Sequence, residues 1–328
     1  MTDSSQFCPF LIEPRFVTRV WGYKSLRPWY DVDAEGDPIG EVWLTGDDCL
    51  IATGPHAGKS LISVFNEFPR QMLGPSAPRA ESPLLIKMIF AREKLSVQVH
   101  PDDTMAQKYG AERGKTECWY AISADPGAEV ACGLKPGVTM DQVRAGIHDG
   151  TLEDSLSTIS IAEGDMIFVD AGTVHAIHPG SVLLETQQNC DITYRMFDYG
   201  RPRELHIDRS IEATKLHTRA GKFPQKQLDD RNVLIEVEYF RVERIPVDGD
   251  ISSDDLRDNS APGRPAAAGL SYLFAADGSA RIHNGSGFDD FEIPTRGIAC
   301  IPADSPHFEV DDLGELDLIR ITPNWPAR

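Results

Sequence analysis

Apolar and polar residues alternate in short runs along most of this chain, and Gly, Pro and Asp cut one run from the next. Residues 81–91 (ESPLLIKMIFA), 93–100 (EKLSVQVH), 117–123 (ECWYAIS), 128–134 (AEVACGL), 164–172 (GDMIFVDAG), 181–188 (SVLLETQQ) and 192–198 (ITYRMFD) read as strands. So do 231–245 (RNVLIEVEYFRVERI), 269–277 (GLSYLFAAD), 297–304 (GIACIPAD) and 316–323 (LDLIRITP). Closely spaced short strands with turn signals predict a mainly β protein, a sandwich or barrel. Helical spacing is confined to 101–110, to 139–156 with a break at Asp149-Gly150, and to 208–216.

A faint internal repeat divides the chain. GDMIFVDAGTVHAI starts at Gly164 and RGIACIPADSPHFEV at Arg296; each runs from a glycine through an apolar strand and a tight turn to a histidine, His175 or His307. Two copies of one β unit are expected, 1–220 and 221–328, with the polar stretch 216–232 between them and a helical insertion at about 136–160 in the first. Residues 248–266 (DGDISSDDLRDNSAPGRPA) read as a surface loop of the second copy.

Composition narrows the function. The 328 residues carry a net charge of −19, which argues against nucleic-acid binding through a basic surface. An anionic substrate would need a local cluster of Lys and Arg against that field. No apolar run is long enough to span a membrane, and the first residues lack the pattern of a secretory signal. The six cysteines are scattered, without a CxxC pair, and read as reduced thiols. A cytoplasmic location is therefore expected.

Candidate chemistry begins at LSVQVHPDD, residues 95–103. Strand alternation puts Ser96, Gln98 and His100 on one face and Leu95, Val97 and Val99 on the other. A polar row on a half-exposed sheet is the ordinary reading; a row of ligands facing a pocket is the sharper one. Glu117 in GKTECWY and His175 in DAGTVHAI follow on further strands. Two imidazoles, a carboxylate and an amide suit zinc, with other divalent transition metals as possible substitutes, and leave a position open for substrate.

A histidine pair on one strand, then a glutamate, then a histidine after a glycine turn is the signature of the cupin superfamily. Here the first histidine is replaced by Gln98, and Asp170 stands where a turn proline is usual. LSVQVHPDD, GKTECWY, AGTVHAI, YRMFDYGRPRELH, EPRFVTRVWG and GEVW together resemble the type I mannose-6-phosphate isomerases in their shorter bacterial form. That resemblance implies two cupin-type jelly-roll barrels, the first carrying one zinc per chain and the second none. It implies an aldose–ketose isomerase that interconverts mannose-6-phosphate and fructose-6-phosphate through an enediolate, as a monomer or homodimer.

Matched motif by motif, the metal ligands would be Gln98, His100, Glu117 and His175, and the phosphate would meet Ser96 and Lys87. Lys115 and Arg195 match positions near the substrate, with Arg195 placed to stabilise the enediolate. Lys87 sits in an apolar strand, so it needs either a phosphate or an acidic neighbour. The general base stays open among Glu185, Lys115 and a metal-bound water. Leu44 and Tyr199 depart from the family's usual residues without touching a ligand. Isomerisation of another sugar phosphate or free sugar, or a non-catalytic sugar-binding bicupin, are the rival readings.

Overall fold

The computed structural model describes residues 7–75, 77, 81–247, 249, 251–256, 269–285 and 287–324. Its chain forms two compact units. One consists of Phe16–Trp43 and Leu84–Phe223; the other of Met1–Arg15, Leu44–Pro83 and Pro224–Arg328. The last crossing therefore lies close to the expected cut at 220/221, but the chain also crosses at 15/16, 43/44 and 83/84. A single cut could not show this, because Phe10–Ile12 completes a sheet by pairing with Ile298–Ile301, far away in sequence.

In the unit that holds 84–223, two antiparallel sheets enclose an apolar core. The seven-stranded sheet runs, in spatial order, Gly221–Lys222, Met166–Val169, Glu117–Ala124, Ser181–Gln188, Leu84–Phe90, Ile39–Trp43 and Arg15–Tyr23. The five-stranded sheet runs Tyr194–Phe197, Val97–Val99, His175–Ile177, Glu129–Leu134 and Leu156–Ser160. Ile89, Trp119, Ala121, Ile167 and Leu183 from the first sheet pack with Val130, Cys132 and Ile177 from the second. The other face of the five-stranded sheet is covered by the helices Met140–Asp149 and Ile207–Ala213, through Val143, Ile147 and Ile211 against Val97, Val99 and Ala176.

Leu84–Phe90 is buried at every position, so it reads as a continuous apolar run broken only by Lys87. The insertion contains the helix Met140–Asp149, the 3-10 turn Leu152–Ser155 and the strand Leu156–Ser160. A capping box, Thr139 with Gln142, starts the helix, and Gly150 in the left-handed region at φ 80° ends it, as the Asp149-Gly150 break predicts.

The other unit has the same two-layer build. A seven-stranded sheet that includes Phe240–Ile245, Ser271–Asp277, Ile298–Ile301 and Asp317–Pro323 faces a four-stranded sheet of Ile251–Ser252, Glu309–Asp312, Ala280–His283 and Phe291–Ile293. Leu273, Ala299 and Leu318 meet Ile282, Ile293 and Val310 between them. The stretch 231–245 is a hairpin rather than one strand: Asn232–Glu236 pairs with Phe240–Ile245. The helices Leu61–Glu67 and Pro69–Leu73 have no counterpart in the periodicity reading. Most of the expected surface loop 248–266 lies outside the described residues; its residues 251–252 form a strand. All six cysteines are buried and free, and no helix among the described residues is long and apolar enough to cross a membrane.

Candidate active site and metal centre

Inward-facing residues of the first unit change character along each strand. Ile89, Leu183 and Trp119 belong to the apolar core, and two residues away on the same faces stand Lys87, Glu185 and Glu117. Facing them, His175 shares its strand face with Ile177, and Gln98 pairs directly with both His175 and Arg195 across the five-stranded sheet. One end of the interior is thus apolar and the other lined by ionisable groups. Val97 and Val99 pack under the helices, so the Gln98 face must point inward. Leu95 departs from the expected alternation: the strand begins at Val97, and Leu95 joins the interior core instead of Val97 and Val99.

Local turns place the histidines. Gly172, at φ 94°, makes the turn in a backbone conformation that a residue with a side chain would resist. Its N–H donates to the His100 carbonyl at 2.9 Å, tying the two histidine segments together. Asp170 closes the turn by accepting from the Thr173 hydroxyl at 2.9 Å and the Arg219 N–H at 3.1 Å. A proline there would lack that carboxylate, so the substitution changes the turn's bonding and leaves His175 in place. Gly114 packs against the backbone of 101–103 and lets Lys115 bond back to Pro101 at 3.0 Å.

His100, Glu117 and His175 are each about 1% exposed or less, and one ligand atom from each lies within 4.8 Å of the others. His100 Nδ1 lies 2.8 Å from the Ile192 carbonyl and His175 Nδ1 lies 2.9 Å from the Thr173 carbonyl. A carbonyl only accepts, so each Nδ1 carries the proton and each Nε2 lone pair is left for the interior. Glu117 approaches both, with Oε2 3.6 Å from His100 Nε2 and Oε1 3.4 Å from His175 Nε2. Burial depresses both imidazoles, His175 to about 4 and His100 well below the usual range, where Lys115 adds to the effect. Burial also pushes Glu117 up to about 7 against the pull of Lys115.

Two buried neutral imidazoles turned to one point, beside a buried carboxylate whose Oε1 accepts no hydrogen bond, fit a divalent cation. Gln98 reaches the same point through its amide nitrogen, 3.2 Å from His175 Nε2, while its oxygen accepts from Ser96 at 3.3 Å. Lys115 is in the cluster too: Nζ lies 2.7 Å from Glu117 Oε2 and 3.1 Å from His100 Nε2.

A cavity of about 460 Å³ adjoins these groups, lined by Gln98, Ser96, Lys115, Lys87, Glu185 and Arg195 among others. Lys87 has acidic neighbours, as an apolar strand demands. Its Nζ is 2.9 Å from Glu185 Oε2 and 3.9 Å from Glu41 Oε2. Burial alone would raise the Glu185 carboxyl, but Lys87 and Lys115 outweigh it and bring it to about 2. Trp119 also donates to Glu185 at 2.9 Å. Arg195 donates to the Glu204 carbonyl at 2.9 Å, and its Nε is buried without an acceptor among the described residues.

Of the expected site residues, Lys87, Ser96, Gln98, Lys115, Glu185 and Arg195 line the cavity, while His100, Glu117 and His175 lie behind it, in contact with Lys115 and Gln98. Sequence reasoning missed Glu41, gripped by Arg19 through two bonds of 2.9 Å and by Trp43 Nε1 at 2.7 Å. It also missed Asp198 and Arg203. Arg19 lies in EPRFVTRVWG, Glu41 in GEVW, and Asp198 and Arg203 in YRMFDYGRPRELH, so block membership was the available signal for all of them. His307, the repeat partner of His175, is 54% exposed at its side chain and bonds Glu309 at 2.7 Å and Ser253 at 3.0 Å. His283 pairs with Asp311 instead, at 2.9 Å.

No family model matches the chain. Over 256 residues it is 34% identical to a mannose-6-phosphate isomerase of Streptococcus mutans, spanning 74% of this chain and 80% of that protein. The crystal structure of the mannose 6-phosphate isomerase from Bacillus subtilis superposes with a TM-score of 0.82 at 27% identity, over 96% of this chain and 99% of that one. A mannose 6-phosphate isomerase structure bound with zinc and yttrium shares the fold, with a TM-score of 0.73 at 16% identity, over 96% and 99% of the two chains.

Proposed function

Since the chain belongs to the mannose-6-phosphate isomerase family, we propose that it interconverts mannose-6-phosphate and fructose-6-phosphate, using one zinc ion per chain held by Gln98, His100, Glu117 and His175. The observation that carries this reading is the buried His100–Glu117–His175 cluster, in contact through Lys115 and Gln98 with a cavity whose lining includes Lys87, Arg195 and Arg203.

The reaction moves a proton between C1 and C2 of the sugar and leaves negative charge on oxygen at its midpoint. When bound, the metal supplies Lewis-acid stabilisation of that charge. His100 and His175 are suited to hold it because they stay neutral and their rings are fixed by carbonyls. Lys115, beside the donors, offers a proton to the sugar oxygens. Arg195, opposite Gln98 in register, places a fixed positive charge near the reacting carbons. An amide nitrogen does not bind a metal, so Gln98 would hold the ion through its oxygen, with the amide turned over and its NH2 donating to the Ser96 hydroxyl.

Glu185 is the proposed base, because it lines the cavity as an ionised carboxylate outside the donor set. Its low pKa makes it a weak base, so its ion pair with Lys87 must slacken as it takes the proton. A coupled assay on mannose-6-phosphate and on unphosphorylated mannose tests the reading. Turnover of the phosphate ester is expected. Turnover of mannose alone would replace this reading with a free-sugar isomerase.

A further inference from the structure

The substrate's phosphate needs positive charge that the protein has not already neutralised. Lys87 does not offer it. Glu185 and Glu41 flank its ammonium, and Asp191 raises its pKa further from the same cavity wall. A dianionic phosphate brought to Lys87 would face the Glu185 and Glu41 carboxylates at close quarters, with Asp191 on the same cavity wall.

The opposite balance holds around Asp198. This buried carboxylate receives Arg203 through two bonds of 2.7 Å, Arg201 at 3.2 Å, and has Arg195 Nε 4.0 Å away. Arg201 has a second partner in Glu93 at 3.1 Å. Arg195 and Arg203 are left sharing one carboxylate, and both line the cavity. Burial and the Arg203 charge together depress the Arg195 pKa, the sign of two like charges held close.

A guanidinium has five N–H donors in a planar fork. Asp198 takes two from Arg203, through Nε and one terminal nitrogen. The other edge of the fork has no protein acceptor among the described residues. Arg195 sits beside Gln98 and the metal donors, so it serves the reacting end of a sugar. We propose that Arg203 binds the phosphate of the substrate, with Asp198 as the positioning residue that fixes its guanidinium, and that Lys87 instead serves Glu185. This rests on the reading above that the substrate is a sugar phosphate. Bidentate grip of a phosphate by an arginine edge locked from behind is a low-entropy arrangement, since the side chain is already ordered.

The experiment is steady-state kinetics on mannose-6-phosphate together with competition by inorganic phosphate, for the metal-loaded wild type, Arg203→Gln, Arg203→Lys, Asp198→Asn and Lys87→Met. Arg203→Gln should raise KM ten- to a hundredfold and lose inhibition by inorganic phosphate. Arg203→Lys keeps the charge without the fork and should fall between. Asp198→Asn should raise KM with kcat reduced less, which a merely structural loss of active protein would not do. Lys87→Met should lower kcat and leave phosphate inhibition intact. Wild-type KM and phosphate inhibition in both Arg203 variants would overturn the proposal, and so would loss of phosphate inhibition in Lys87→Met alone. A wild type that binds inorganic phosphate through Arg203 yet does not isomerise mannose-6-phosphate would refute the isomerase reading and leave this site standing.

Discussion

His175 and His307 follow the same sequence pattern and end in different chemistry. Each comes after a glycine, an apolar strand and a turn. His175 is buried, its Nδ1 tied to a carbonyl and its Nε2 facing Glu117 and Gln98. His307 stands in solvent with its two nitrogens on Ser253 and Glu309. What separates them is the neighbouring strands. Beside His175, Gln98 is its direct strand partner, and Glu117 reaches its ring from the opposite sheet. A histidine becomes a ligand only where adjacent strands aim further donors at the same point and exclude water from it.

The largest expected break in this comparison is His175→Ala. Removing a proposed ligand of a Lewis acid worth several kcal/mol should lower kcat/KM by about a thousandfold or more. An assay of the folded variant with its metal content checks this.

Glu185→Gln comes next. It removes the proposed base and leaves Lys87 with the more distant Glu41 and Asp191, so kcat should fall by about a hundredfold or more. Breaking a buried ion pair costs about 3–5 kcal/mol, which urea unfolding at pH 7 measures. The pH dependence has a definite sign. Glu185 is held at about 2, below its ordinary value. Its ionisation therefore stabilises the fold fully above about pH 4.5, and that contribution fades as pH falls towards 2. The stability gap between wild type and Glu185→Gln should narrow across that window. A gap independent of pH would show that ionised Glu185 does not stabilise the fold. The double variant Lys87→Met, Glu185→Leu should regain stability without regaining activity.

Asp170→Ala should act more mildly. It loses the bonds to Thr173 and Arg219 that close the His175 turn, and a loss of about 1 kcal/mol with about tenfold weaker metal binding is expected. Metal titration against a competing chelator resolves this. His307→Ala is the smallest change. Stability within about 0.5 kcal/mol of wild type and unaltered turnover are expected. A large loss of activity there would erase the contrast between the two histidines.

Much of this was legible in the sequence, for reasons that differ by residue. Most strands between 81 and 198 could be read because apolar alternation and turn residues mark them; Leu156–Ser160, inside the expected helical insertion, was not. The proposed ligand set could be named because Gln98 and His100 share one distinctive block and Glu117 and His175 lie in two others. Lys87 was legible only as a puzzle: the strand demanded a partner, but Glu185 is its partner through sheet register, which local pattern does not carry. Glu41 and Arg19 share that difficulty, since their ion pair joins strand residues 22 positions apart. The unit boundaries were hidden for the same reason. Phe10–Ile12 looks like any short apolar segment until it is paired with Ile298–Ile301.

The most direct measurement is metal content and turnover of mannose-6-phosphate on the same samples, stripped with chelator and reloaded with graded zinc. Turnover should vanish on stripping and return in proportion to bound zinc, saturating at about one ion per chain. Full turnover in protein holding a small fraction of one equivalent of metal would contradict the account.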